Sequence, residues 1–179
     1  PEDYEIHAYV SPRTDGENVQ EGNRGQNISN FNQTSCIISL KASTVFGVLR
    51  AIETLGQLLE FGWMDKNGGD DQVGVYVIRD LPLQIVDEPA FPYRGLMIDT
   101  ARHYLPMDLI LDNLDAMAMN KMNVLHWHIS DKQSFPYAPT NMSELAKGAY
   151  HPKRIYTPQD VHTIVREAYL RGIRVIPEI

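Results

Sequence analysis

Hydrophobic positions along the chain switch between a period of two and a period near 3.6, and that switching predicts its elements. Tyr4-Glu5-Ile6-His7-Ala8-Tyr9-Val10 alternates in the manner of a half-buried strand. From Ser11 to Gln33 the chain is rich in Gly, Asn, Asp and Glu with little to bury, which predicts a long loop or hairpin excursion. Cys36 to Leu40 is a second strand candidate. Ser43 or Thr44 then caps a helix whose apolar stripe is Val45, Val48, Leu49, Ile52, Leu55, Leu58 and Leu59. Gly62 to Asp71, with Gly68-Gly69 and acidic residues, reads as a turn, and Val73 to Ile78 returns as a strand. Ile85-Val86 leads into Asp87-Glu88-Pro89, and the proline-punctuated connection from Leu81 to Pro92 closes a small αβ layer. A domain boundary is expected at Asp87–Pro92, dividing the chain into residues 1–88 and 89–179.

The second part is organised by the stretch from Phe91 to Tyr137. Leu96-Met97-Ile98 is a short apolar run ending on Asp99, with Arg102, His103 and Tyr104 in the loop that follows. Pro106 opens a helix with Met107, Ile110, Leu111, Leu114, Met117 and Ala118 on one stripe and Asp108, Asp112 and Asp115 opposite. Asn120-Lys121 closes it, and Asn123 to Ile129 is a second strand, followed by Ser130-Asp131. Gln133 to Tyr156 reads as a long irregular loop with one helical turn around Ser143–Lys147. Thr157-Pro158-Gln159-Asp160 supplies an N-cap, a first-turn proline and an acid three residues on. The helix it starts carries Val161, Ile164, Val165, Ala168 and Tyr169 and ends at Gly172. Ile173 to Ile179 is a third strand. Strands separated by helices and nothing else predict a parallel sheet, either an α/β barrel or an open doubly wound sheet.

Bulk properties narrow the picture. With 43% hydrophobic and 22% charged residues the composition is that of a globular protein, and no apolar run is long enough to span a membrane. A net charge of −7 argues against nucleic acid as a partner. The one cysteine, Cys36, excludes a disulfide within these residues. Sequons at Asn27, Asn32 and Asn141 lie in polar, loop-like surroundings and point to the secretory route, as glycosylation sites. The chain begins on Pro1 and stops at Glu178-Ile179 inside an apolar strand, so it is expected to be an excerpt of a longer precursor.

Candidate chemistry collects where parallel strands end together: Asp99, Arg102, His128 and Asp131, with Glu178 ending the third strand at the same edge. Arg102 can give paired hydrogen bonds to vicinal hydroxyls or a carboxylate, or simply pair with Asp99 three residues away. His126 and His128 share one side of their strand. They could begin a metal site of the amidohydrolase kind, but no further ligand falls at a compelling spacing. The plainer expectation is two buried, hydrogen-bonded histidines packed around Trp127. Asp131 could orient a histidine, hold a substrate or cap a turn. Glu178, in an apolar run, needs a partner and is expected to support the site.

These residues sit within RGLMIDTARHYLP, NKMNVLHWHISD and SFPY, which closely resemble the family 20 glycoside hydrolases, the β-N-acetylhexosaminidases. STVFGVLRAIETLGQLL resembles the helix of that family's small αβ domain. GAYHPKRIYTPQDVHTIVREAYLRGIRVIPEI resembles its second barrel helix and third strand. The resemblance covers nearly the whole chain apart from Ser11–Asn32. It implies an α/β fold: the first three strands of a (β/α)8 TIM barrel, preceded by a small αβ domain. It implies a retaining glycosidase that removes terminal β-linked N-acetylglucosamine or N-acetylgalactosamine, the sugar's own 2-acetamido oxygen attacking the anomeric carbon. Arg102 would grip hydroxyls of the terminal sugar. Asp131 would match the aspartate that hydrogen-bonds a histidine supporting the acid, with Asp99, His128 and Glu178 behind them. Lys132 departs from the second acidic residue that some members carry.

The resemblance further implies no cofactor and no metal, N-acetylhexosamine-terminated glycans or chitin oligomers as substrates, a lysosomal or secreted location, and room for a homodimer of the full-length protein. The family's acid/base glutamate, its adjacent aspartate, the supporting histidine and the pocket tryptophans are expected beyond Ile179. The isolated 179-residue chain is therefore expected to be inactive and poorly folded, its sheet edges unable to close. A non-catalytic sugar-binding relative and a metal amidohydrolase are the competing functions.

Overall fold

The computed structural model describes residues 2–10, 36–65 and 72–179. They fall into two compact units, Pro1–Glu88 and Pro89–Ile179. The excursion expected at Ser11–Gln33, the sequons at Asn27 and Asn32, and Gly68-Gly69 lie outside the described residues.

The first unit contains strands β1 (Tyr4–Val10) and β2 (Cys36–Ala42), helix α1 (Val45–Leu58), and strands β3 (Glu60–Asp65), β4 (Gln72–Val77) and β5 (Leu83–Asp87). β1 is the middle strand of an antiparallel sheet in the order β2-β1-β5. Its alternation is real: Tyr4, Ile6 and Ala8 are buried, and Tyr4 and Ile6 pack with Ala51 of α1 and with Leu40, Ala42 and Ile85. Thr44 caps α1 by accepting the Gly47 amide at 3.2 Å. A Cβ at Gly47 would stand 2.7 Å from the Asp3 carbonyl oxygen, so the chain needs glycine where α1 meets it.

Two expectations need correction here. The inward face of α1 is Gly47, Arg50 and Ala51, while Val45 and Ile52 are exposed. Close approach at the smallest residues, rather than the widest apolar stripe, sets the helix rotation. The start of the expected turn, Gly62 to Asp65, is instead strand, because β3 pairs with β4 from Glu60↔Val77 to Asp65↔Gln72. The glycine hid an alternating pattern in which Phe61 and Trp63 share a face and meet edge to face, Phe61 also meeting Tyr76. β5 likewise extends Ile85-Val86 into a full strand against β1.

The second unit is a parallel sheet, β6 (Gly95–Asp99), β7 (Val124–His128) and β8 (Arg174–Glu178), in that order. Helices α2 (Met107–Met119) and α3 (Pro158–Leu170) pack on it and on each other. Ile110, Leu114 and Met117 of α2 meet Ile164 and Ala168 of α3 in a core with Leu125, Trp127, Ile129, Tyr156 and Ile173. The narrow α3 stripe leaves Val165 and Tyr169 exposed, contrary to expectation, since Ala168 lets a single row do the packing. Thr157 and Asp160 form the capping box that the sequence announces.

Both helices end in Schellman turns. In α3, Gly172 has φ 68°, with Ile173 N donating to Ala168 O at 2.8 Å. In α2 the same role falls to Lys121, φ 55°, with Met122 N donating to Met117 O at 2.8 Å. A lysine in the left-handed region is strained, so Lys121→Gly is expected to raise stability by about 0.5–1 kcal/mol in urea unfolding. The Lys121 carbonyl accepts Arg94 Nε at 2.8 Å; Asn123 accepts the Arg94 amide at 2.9 Å and donates to the Pro92 carbonyl at 2.9 Å. This clip ties the N-terminal edge of the sheet together.

Candidate active site

At the opposite edge the register aligns Asp99, His128 and Glu178 across the three strands. Side chains alternate, so Leu125 and Trp127 face the helices while His126 and His128 face the other way. The two histidines are therefore neither fully buried nor packed around Trp127, which corrects the plainer expectation for them.

Arg102 is the hub. Its Nη1 donates to Asp99 Oδ2 at 2.9 Å and lies 3.3 Å from His128 Nδ1; its Nη2 pairs with Asp131 Oδ2 at 2.5 Å. His128 Nε2 is 3.5 Å from the same Asp131 oxygen. Asp99 is itself anchored, its Oδ1 accepting the amides of Ala101 and Arg102 at 3.1 Å each. Burial works against ionising Asp99, but the Arg102 amide and guanidinium outweigh it and hold the carboxyl below its ordinary value. Hydrogen bonding to Asp99 in turn raises Arg102 further. Thus Asp99, Arg102, His128 and Asp131 come together. Arg102 fills the space between the two carboxylates and His128 that a bound cation would need.

Glu178 does not join that group. Its Oε2 lies 2.7 Å from His126 Nε2 on the same sheet face, which gives the carboxylate the partner it needs. Asn141 is exposed in a turn just ahead of a short 3-10 turn at Ser143–Gly148.

The Arg102 loop is held by a frame invisible to local sequence reading. Trp127 Nε1 donates to Thr100 Oγ1 at 2.9 Å, beside the strand-like bond from Thr100 N to His128 O at 3.0 Å. Tyr156 OH donates to Leu105 O at 2.5 Å and accepts Leu105 N at 3.2 Å. Tyr156 stacks on Tyr104 with centroids 4.8 Å apart and meets Trp127 edge-on at 5.1 Å. Burial keeps its phenol neutral, far above the ordinary value. Asp131 is fixed by reciprocal backbone bonds with Ser134 at 3.0 and 3.1 Å. A guanidinium clamped on both sides presents its remaining N–H groups in one orientation, which suits a fixed set of hydroxyl or carboxylate acceptors.

The family described as "Glycosyl hydrolase family 20, catalytic domain" matches residues 91–179. Beta-hexosaminidase subunit beta of Felis catus is 52% identical over 140 residues, which are 78% of this chain and 24% of that protein. The Homo sapiens subunit beta is 49% identical over 140 residues, covering 78% and 23%. Beta-hexosaminidase 1 of Arabidopsis thaliana is 44% identical over 154 residues, covering 85% and 27%. Among solved structures, the Flavobacterium johnsoniae chitobiase superposes with a TM-score of 0.67 at 30% identity, over 99% of this chain and 21% of that one. The chain spans about a quarter of the length of these curated relatives.

Proposed function

Through residues 91–179 this chain belongs to glycosyl hydrolase family 20, and on that premise we propose that the whole protein is a retaining β-N-acetylhexosaminidase. The parallel unit is then the opening of a (β/α)8 barrel, and Pro1–Glu88 the small αβ domain ahead of it. One observation carries the reading: a doubly clamped arginine at the C-terminal edge of three parallel strands, flanked by Asp131 and His128.

In this reading Arg102 grips the hydroxyls of the terminal sugar. Asp99 and Asp131 fix its fork, and His128 closes the space behind it. Asp131 also orients a histidine that supports the acid. That acid, which protonates the leaving oxygen, is assigned to no residue of this chain. The nucleophile is the substrate's own acetamido oxygen, so the protein has to position the sugar rather than supply an attacking carboxylate. Glycans ending in N-acetylglucosamine or N-acetylgalactosamine are the substrates, met on the secretory route that an exposed Asn141 sequon fits.

The complete protein is expected to release 4-nitrophenol from 4-nitrophenyl N-acetyl-β-D-glucosaminide and not from the matching β-D-glucoside, which lacks the internal nucleophile. Folded protein inert toward the first compound, or equally active on both, would sink the reading.

A further inference from the structure

The His128 side chain is only 13% exposed, so its neighbours rather than water decide where its protons sit. We propose that His128 is a positioning residue for Arg102: a neutral imidazole with its proton on Nε2 alone, accepting Arg102 on Nδ1 and presenting Nε2–H to Asp131. What the positioned arginine then grips rests on the hexosaminidase reading; the placement of the proton does not.

A guanidinium has N–H donors only and keeps its charge at every working pH. Arg102 Nη1 lies 3.3 Å from His128 Nδ1. A proton on Nδ1, in the other neutral tautomer or in the imidazolium, would set N–H against N–H at that distance. The nearest relief for it, Asp99 Oδ2, is farther off at 3.8 Å. Nδ1 therefore offers its lone pair, and the ring's one proton falls to Nε2, which faces Asp131 Oδ2 at 3.5 Å. The remaining charges of that edge do not compete for the ring. Glu178, the register partner of His128 on β8, turns to His126 Nε2 at 2.7 Å, while Asp99 and Asp131 are bound by Arg102 itself.

This proton placement decides how the arginine can turn. One Nη1 proton goes to Asp99, the other to His128, and an Nη2 proton to Asp131. Without the His128 lone pair, Nη1 would keep an unanswered N–H and the guanidinium could roll about its contacts with the two carboxylates. With it, Nε–H and the second Nη2–H are left to meet sugar hydroxyls in one fixed orientation. Protonating His128 removes the lone pair and sets two cations against each other. The grip on a neutral sugar should therefore weaken as the pH falls through the titration of the ring.

The test uses the complete protein. In nitrogen-15 NMR spectra of histidine-labelled wild type near neutral pH, the signal lost in His128→Asn is expected to report an Nε2–H tautomer. An Nδ1–H ring or an imidazolium there overturns the assignment, whatever the enzyme does. KM and kcat for 4-nitrophenyl N-acetyl-β-D-glucosaminide are then measured across pH on wild type, His128→Leu and His128→Asn. His128→Leu removes the acceptor, whereas His128→Asn keeps an amide oxygen near the Nδ1 position but cannot titrate. His128→Leu is expected to raise KM about 10-fold with a smaller change in kcat, and His128→Asn to recover most of that loss. Wild-type KM should rise as pH falls, and that of His128→Asn should stay flat. If both variants lower the Tm yet keep the wild-type KM and its pH dependence, or if His128→Asn does no better than His128→Leu, His128 packs and does not position. Should folded wild type leave the sugar intact, the hexosaminidase reading fails on its own, and the NMR spectrum still decides the proton.

Discussion

Arg102→Ala is expected to lower kcat/KM of the complete protein for a chromogenic β-N-acetylglucosaminide by about 2–4 kcal/mol, roughly 30- to 1,000-fold. The size follows from what is lost. A guanidinium already oriented by Asp99 and Asp131 delivers paired hydrogen bonds without spending rotamer entropy at the moment of binding. Removing it deletes those bonds and leaves two carboxylates facing each other across the space it filled. Arg102→Lys should recover little, because a point charge cannot reach both carboxylates and the substrate in one plane. Stability should move much less than activity: the Arg102 side chain is 45% exposed, and solvent screens ion pairs of that exposure. A variant that keeps both its Tm and its activity would reduce Arg102 to a structural partner of Asp99.

Trp127→Ala should be the most damaging single change to the second unit, costing about 3–5 kcal/mol in chemical unfolding. The indole is 0% exposed, and no smaller side chain fills its volume between β7 and Tyr156. Trp127→Phe separates packing from positioning. It keeps most of the ring but removes the N–H that holds Thr100 Oγ1 at 2.9 Å, two residues from Arg102. The expected loss is about 1–2 kcal/mol of stability, with KM rising more than kcat falls as the Arg102 loop loosens. If Trp127→Phe weakens folding yet leaves KM unchanged, the frame does not reach the site.

Much of this was legible from local pattern. The strand-helix alternation of the second unit, the Thr157 capping box, the Gly172 stop and the convergence of Asp99, Arg102, His128 and Asp131 on one edge follow from period, caps and parallel topology. What escaped depends on partners far along the chain. β3 was hidden by Gly62 and revealed only by pairing with β4, and the rotation of α1 was set by the approach of Asp3 to Gly47. Tyr156 reaches Leu105 across 51 residues, and nothing in its own neighbourhood announces that contact. Glu178 was expected near the Arg102 group but turns to His126, since both project from one sheet face with no helix between them.

The Arg94–Lys121–Asn123 clip lies at one end of strands whose other end carries Arg102. That polarity sorts inherited or engineered variants by phenotype. Changes at Arg94 or Asn123 should reduce how much protein accumulates in a cell while the surviving molecules retain normal turnover. Changes at Asp99 or Asp131 should leave abundance near normal and impair each molecule. A pooled variant screen scored in parallel for abundance and for glycan turnover would separate the two ends of the parallel sheet.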